Sequence, residues 1–230
     1  MGLQLLDRDL GVVDHALTVG GLRVGTRTTV IRRGDGSVTL LSPGPLGDED
    51  AAAIAALGPV RAVVAPNLLH HLFLAAALAR FGEARLYAPA ALAKKQPALR
   101  VDGPPAAVTA VVGDEALHAI DVGGMPKLQE TLFVHAPSRT LIATDLVFNL
   151  RAPAPWLTRT IMRFNGGFDR FGPTRICLSL CKDHPAVRAA IERVLGADFE
   201  RVVVAHGQVL PSGGRKAMRA GFAWLLDGGA

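Results

Sequence analysis

The chain has only two cysteines, Cys177 and Cys181. That count excludes a disulfide framework, and the pair alone lacks the partners a metal site needs. Reduced thiols of this kind suit a cytoplasmic protein. Aromatic residues are few: one tyrosine, and nine phenylalanines that fall mostly in apolar runs. No run of five or more like charges occurs, so the net charge of +5 reads as a scattered basic surface. Nucleic-acid binding, which calls for a dense basic stripe with interleaved aromatics, is not indicated. No uninterrupted apolar stretch of about 18 residues is present, so no membrane span is expected. The opening MGLQLLDRDLG has neither the basic start nor the apolar centre of a signal peptide. The glycine pairs at 20–21, 123–124 and 166–167 lack GxGxxG spacing after a strand, which removes a dinucleotide fingerprint. The expected partner is a small molecule, and nothing in the pattern speaks to oligomeric state.

What remains is a globular composition, half hydrophobic and a fifth charged. A chain of 230 residues can bury a core without staples, and 1–230 reads as one domain. Residues 27–41, RTTVIRRGDGSVTLL, predict two strands about a Gly-Asp-Gly turn, since Asp-Gly between β-rich runs favours a hairpin. Asp48-Glu49-Asp50 marks an acidic helix start. VRAVVA at 60–65 predicts a buried strand, and LLHHLFLAAALARF predicts a helix that Asn67 can cap and Gly82 stops. The segment 99–116 reads as loop with one strand at most. ETLFVHAPSRTLIATDLVFN at 130–149 is the clearest hairpin. AVRAAIERVL at 186–195 is an amphipathic helix led by Asp183, RVVVAHG at 201–207 is a buried strand, and a helix closes the chain near 213–227. Helices alternate with strands at both ends of a strand-rich middle. That order predicts an α/β fold in which two packed sheets lie between helices, a four-layer αββα sandwich.

Polar residues at the ends of apolar strands are the candidates for chemistry. These are the pair His70-His71, Asp145 and His206, which follow AVVAPNLL, TLIAT and RVVVA. Imidazole and carboxylate donors together suit zinc, iron or manganese. Each also has a simpler reading, as a capping or carbonyl-bonded side chain.

In this arrangement the chain resembles the metallo-β-lactamase superfamily over nearly its whole length, through segments such as GPVRAVVAPNLLHH, ETLFVH, DLVFN and the final HG. The superfamily's His-x-His-x-Asp-His loop aligns with Pro66-Asn67-Leu68-Leu69-His70-His71. Pro66 and Leu68 stand where the first two histidines would be, and Met125 falls in the loop that usually supplies the next one. Ala143-Thr144-Asp145 resembles Thr-Gly-Asp, and Ala205-His206-Gly207 resembles Gly-His-Gly. The resemblance therefore implies a depleted site. One metal position has lost its ligands, while the other keeps donor-capable residues at His70, His71, Asp145 and His206.

The implied function is a metal-dependent hydrolase with a single divalent metal, zinc first and iron or manganese next. Water activated by that metal would attack an ester, lactone, amide or phosphoester. The alternative is a non-catalytic domain that binds a small molecule or a protein on the same fold. A third reading is an oxidoreductase, because such donors also hold iron. Glu130 is expected beside the site or solvated, Asn149 behind the ligands or facing the cleft, and Arg151 facing the cleft. His15, His118, His135 and His184 are read as structural or surface residues.

Overall fold

The computed structural model describes residues 2–111 and 115–228. The first sheet holds β1 (Gln4–Asp7), β2 (Leu10–His15), β5 (Thr26–Arg32), β6 (Val38–Leu41), β7 (Val60–Val64) and β8 (Arg85–Tyr87), adjacent in that order. Between β2 and β5 the chain makes a small ribbon, β3 (Thr18–Val19) with β4 (Leu22–Arg23). The second sheet runs β12 (Arg201–Val204), β11 (Thr140–Ala143), β10 (Thr131–His135), β9 (Leu117–Asp121). Helices α1 (Asp48–Ala55), α2 (Leu74–Arg80), α3 (Leu92–Lys95) and α4 (Ala107–Val111) belong to the first half. The second half contributes α5 (Trp156–Phe164), α6 (Arg175–Ser179), α7 (His184–Gly196), α8 (Gly214–Gly221) and α9 (Ala223–Leu226).

Side-chain alternation along each strand builds the layers. On β10, Phe133 packs against Ile142, Val203, Ile31 and Leu41 between the two sheets, whereas Leu132 and Val134 face α7 residues such as Val187 and Ile191. On β7, Ala62 and Val64 point to the space between the sheets, and Val63 points to Ile54 and Leu74 of the outer helices. Three apolar layers thus separate four layers of secondary structure, the αββα sandwich the sequence predicts.

Most strand pairs are antiparallel, but β6 with β7, β7 with β8, and β11 with β12 are parallel. A parallel pair needs a crossover: α1 supplies it between β6 and β7, α2 between β7 and β8, and the α5–α7 segment between β11 and β12. The carboxyl ends of β6, β7, β11 and β12 then open at one edge of the sandwich. Across that edge the buried guanidinium of Arg27 donates to Asp14 at 2.6 Å and to the Val204 carbonyl at 2.5 Å, linking the first sheet to the last strand.

The 68–81 helix is shorter than its apolar run predicts. Only Leu74–Arg80 is helical. The Leu68 N–H donates to the Leu128 carbonyl, and the Asn67 Oδ1 accepts from the N–H groups of Leu69 and His70 at 2.8 and 2.9 Å, so turns take residues 68–73. Asn67 caps as expected, but it caps a turn. The 99–116 segment contains α4 rather than a strand, and its residues 112–114 lie outside the described ones. The strands β1 to β4 have no counterpart in the sequence reading; β3 and β4 are only two residues each, too short for an alternation signal. Asp183 caps α7 by accepting from the Ala186 N–H at 3.0 Å, as its position predicts.

His15 ends β2 as a buried residue, and its Nε2 bonds Thr28 Oγ1 at 2.8 Å. A Cβ on Gly44 would stand 2.2 Å from this ring. Gly44→Ala is therefore expected to lower the unfolding free energy by about 1–3 kcal/mol, as overpacking does. Urea denaturation of the variant checks this, and an unchanged midpoint contradicts the close packing.

Candidate metal centre

Each site residue follows the carboxyl end of a parallel strand. Ser42 follows β6, Asn67 and His70 follow β7, Asp145 follows β11, and His206 follows β12. Glu130 and Gly25 precede β10 and β5, antiparallel neighbours of those strands, and so reach the same edge.

His70, Asp145 and His206 converge there, with one donor atom from each lying within 4.8 Å of the others. His70 Nε2 is 3.1 Å from Asp145 Oδ2, and His206 Nε2 is 3.2 Å from Asp145 Oδ1. These separations approach the roughly 3.4 Å edge of a tetrahedral site with bonds of about 2.1 Å. The two imidazole rings lie 5.3 Å apart, and Phe148 stacks on His206 at 4.9 Å.

The far nitrogen of each ring is fixed. His206 Nδ1 donates to the Gly25 carbonyl at 2.7 Å. A carbonyl can only accept, so Nδ1 carries the hydrogen and Nε2 is left facing the carboxylate. His70 Nδ1 bonds the Ser42 hydroxyl at 2.5 Å, and Ser42 adopts a left-handed φ of 54° where β6 ends. A ring held by its outer nitrogen presents its inner nitrogen in a fixed direction.

Asp145 is positioned from behind. Glu130 is buried, and both of its oxygens accept N–H bonds from the turn that carries Asp145. Thr144 donates to Oε1 at 2.7 Å, and Asp145 and Leu146 donate to Oε2 at 3.0 and 2.9 Å. The Asn67 Nδ2 donates to Asp145 Oδ2 at 2.8 Å and lies 3.2 Å from Glu130 Oε2. Burial opposes charge on Asp145, but His70 and His206 outweigh it and hold its carboxyl well below the usual carboxylate range. Burial likewise opposes charge on His70, and Asp145 with Glu130 raises its pKa nonetheless. Glu130 is pushed up by burial and by the neighbouring Asp145 charge, against the N–H bonds it accepts.

His71 does not join the cluster. It accepts from the Gln96 side-chain amide at 3.0 Å, and burial with Lys95 and His70 nearby lowers its pKa. Consecutive residues of the 68–73 turn send their side chains apart, which separates His71 from His70. Asn149 also lies behind the site rather than on its face. Its side chain donates to the Gln208 carbonyl at 2.7 Å and accepts from Arg151 at 3.1 Å, tying down the turn after His206. Gly207 completes that turn at φ 107°, where a Cβ would stand 2.2 Å from the Asn149 carbonyl. Ser42 and Gly25 carried no sequence signal. The Ser-Pro-Gly-Pro stretch reads as a strand breaker, and a backbone carbonyl has no residue-type signature.

Pro66, Leu68 and Met125 are all buried. The three donors form part of the wall of a cavity of about 400 Å³. Its other walls are mainly apolar, from Leu17, Leu22 and Val24 on one side and Phe73, Phe148 and Met162 on the other. Among the described residues, no lysine or arginine lines it.

The fold is that of the metallo-β-lactamases. A metallo-β-lactamase from Pontibacter korlensis matches at a TM-score of 0.65 and 15% identity, with 98% of this chain and 99% of that chain covered. One from Erythrobacter litoralis matches at 0.65 and 14%, covering 98% and 94%. One from Pseudomonas aeruginosa, solved in a mono-zinc form, matches at 0.62 and 12%, covering 99% and 94%. No protein-family model and no curated protein sequence matches the chain.

Glu130→Gln tests the support behind Asp145. An amide nitrogen at either oxygen position would face an N–H donor. The variant is expected to lose about 2–3 kcal/mol of stability by urea denaturation, the scale of hydrogen bonds to a buried charged group. Stability within error of the parent would mean that Glu130 does not hold the turn.

Proposed function

We propose that this protein is a hydrolase that uses one divalent metal held by His70, Asp145 and His206. The supporting observation is the convergence of three donors, each oriented by a further hydrogen bond, in the wall of a mostly apolar cavity. A donor set of two imidazoles and one carboxylate suits zinc first and also accommodates iron or manganese. Bound there, such an ion supplies Lewis acidity towards a carbonyl and a lowered pKa for water.

The chain's own contributions are orientation and desolvation. Gly25 and Ser42 hold the imidazoles, while Asn67 and Glu130 hold the carboxylate. Phe148 and Met162 keep bulk water from the apolar side. With no lysine or arginine among the described residues of the cavity wall to meet a phosphate, an uncharged ester or lactone is favoured over a phosphoester. His71, bonded to Gln96, is left out of the ligand set.

A second reading is a non-catalytic binding domain. With Nε2 protonated as well as Nδ1, His206 would donate to Asp145, and the cluster would then close as a polar network without an ion. Assay with p-nitrophenyl acyl esters separates the two. Turnover is expected to disappear on chelation, to return with zinc, and to fall about 100-fold or more in Asp145→Asn, with His71→Ala within about 3-fold of the parent. Turnover that survives both chelation and Asp145→Asn would overturn the hydrolase reading.

A further inference from the structure

Helix α5 forms part of the cavity wall and also leaves an apolar face outside it. Thr158 and Met162 turn inward, and Met162 lines the cavity. Outward, Trp156 is 70% and Phe164 74% exposed, with Leu157 and Ile161 also exposed. At 100° per residue these four side chains span an arc of about 140°, and Arg159 and Arg163 fall on its flank. Two more apolar residues stand out at the rim of the same cavity: Leu72, 61% exposed on the turn that carries His70, and Ile176, 65% exposed on α6. Six exposed apolar residues of this size, four on one face of the helix and two at the cavity rim, mark a surface that meets something other than water.

The charge pattern indicates what it meets. From Arg151 to Ile176 the chain has five arginines and one acidic residue, Asp169. Asp169 pairs with Arg163 at 2.9 Å. Arg159 and Arg175 are exposed and have no ion-pair partner among the described residues. A symmetric dimer through this face would set one basic patch against another. An anionic lipid surface instead accepts the apolar side chains below its headgroups and the guanidinium groups at its phosphates.

We propose that α5, with Leu72 and Ile176, is a docking surface for an anionic bilayer, and that a chain-bearing amphiphile passes from that bilayer into the cavity. The docking stands on the exposed groups alone; the amphiphile as substrate rests on the hydrolase reading. The test is sedimentation with vesicles of phosphatidylglycerol and phosphatidylcholine, beside pure phosphatidylcholine vesicles. Trp224→Phe leaves Trp156 as the one tryptophan, because the chain has two. Binding to the anionic vesicles, with Trp156 emission moving to shorter wavelength, is the expected result. Binding should weaken about tenfold or more in Phe164→Asp and in Arg159→Glu/Arg175→Glu, all exposed positions whose fold circular dichroism can verify. Failure to sediment, with unshifted emission, would overturn the docking. So would an emission shift that follows protein concentration without vesicles, which would assign the face to a second copy. Vesicle binding by Asp145→Asn is read without turnover, so it stands or fails independently of the hydrolase reading.

Discussion

The parallel pairing of β6 with β7 and of β11 with β12 is the constraint on which the site depends. Each pair needs a crossover, and each crossover leaves two strand ends pointing the same way. Packing the sheets face to face then brings four carboxyl ends to one edge, where backbone no longer committed to the ladder can carry polar side chains. Asp145 and His206 come from one pair, Ser42 and His70 from the other. The site therefore straddles the two sheets, and the Arg27 contact to Val204 bridges them beside it.

Convergence alone would leave flexible side chains. Orientation comes from hydrogen bonds that each use a group with one available role. The Gly25 carbonyl can only accept, which fixes the His206 tautomer. Glu130 gathers three successive N–H groups and so fixes the turn beneath Asp145. The result is a buried cluster in which Asp145 stays strongly acidic because His70 and His206 face it. In a low-dielectric setting such a cluster is costly unless fully satisfied, and here every member has a partner. Pro66, Leu68 and Met125 are buried apolar residues and bring no polar group that needs a partner.

Much of this was legible in the sequence, for identifiable reasons. Apolar strands ending in His or Asp located His70, Asp145 and His206 because a continuous apolar run that stops near a polar residue is visible in the order of residues. The four-layer architecture followed from the order of elements. The separation of His70 from His71 was not legible. It depends on Asn67 holding a turn where the apolar pattern of 68–81 suggests a helix, and the competing hydrogen bonds come from Leu128, sixty positions away from Leu68. Asn149 was expected behind the site or in the cleft, and its hydrogen bonds to the turn after His206 require the approach of two loops. Glu130 was placed beside the site by its position at the start of a hairpin. That it accepts three backbone N–H groups is a fact of tertiary geometry.

The claim at the centre of this account is that His70, Asp145 and His206, without His71, hold one metal. X-ray absorption fine structure on protein reconstituted with one equivalent of zinc counts the imidazoles around the ion directly. The account predicts two imidazoles per zinc, with oxygen in the remaining positions. Three imidazoles per zinc, or zinc scattered among sites with none, would contradict it.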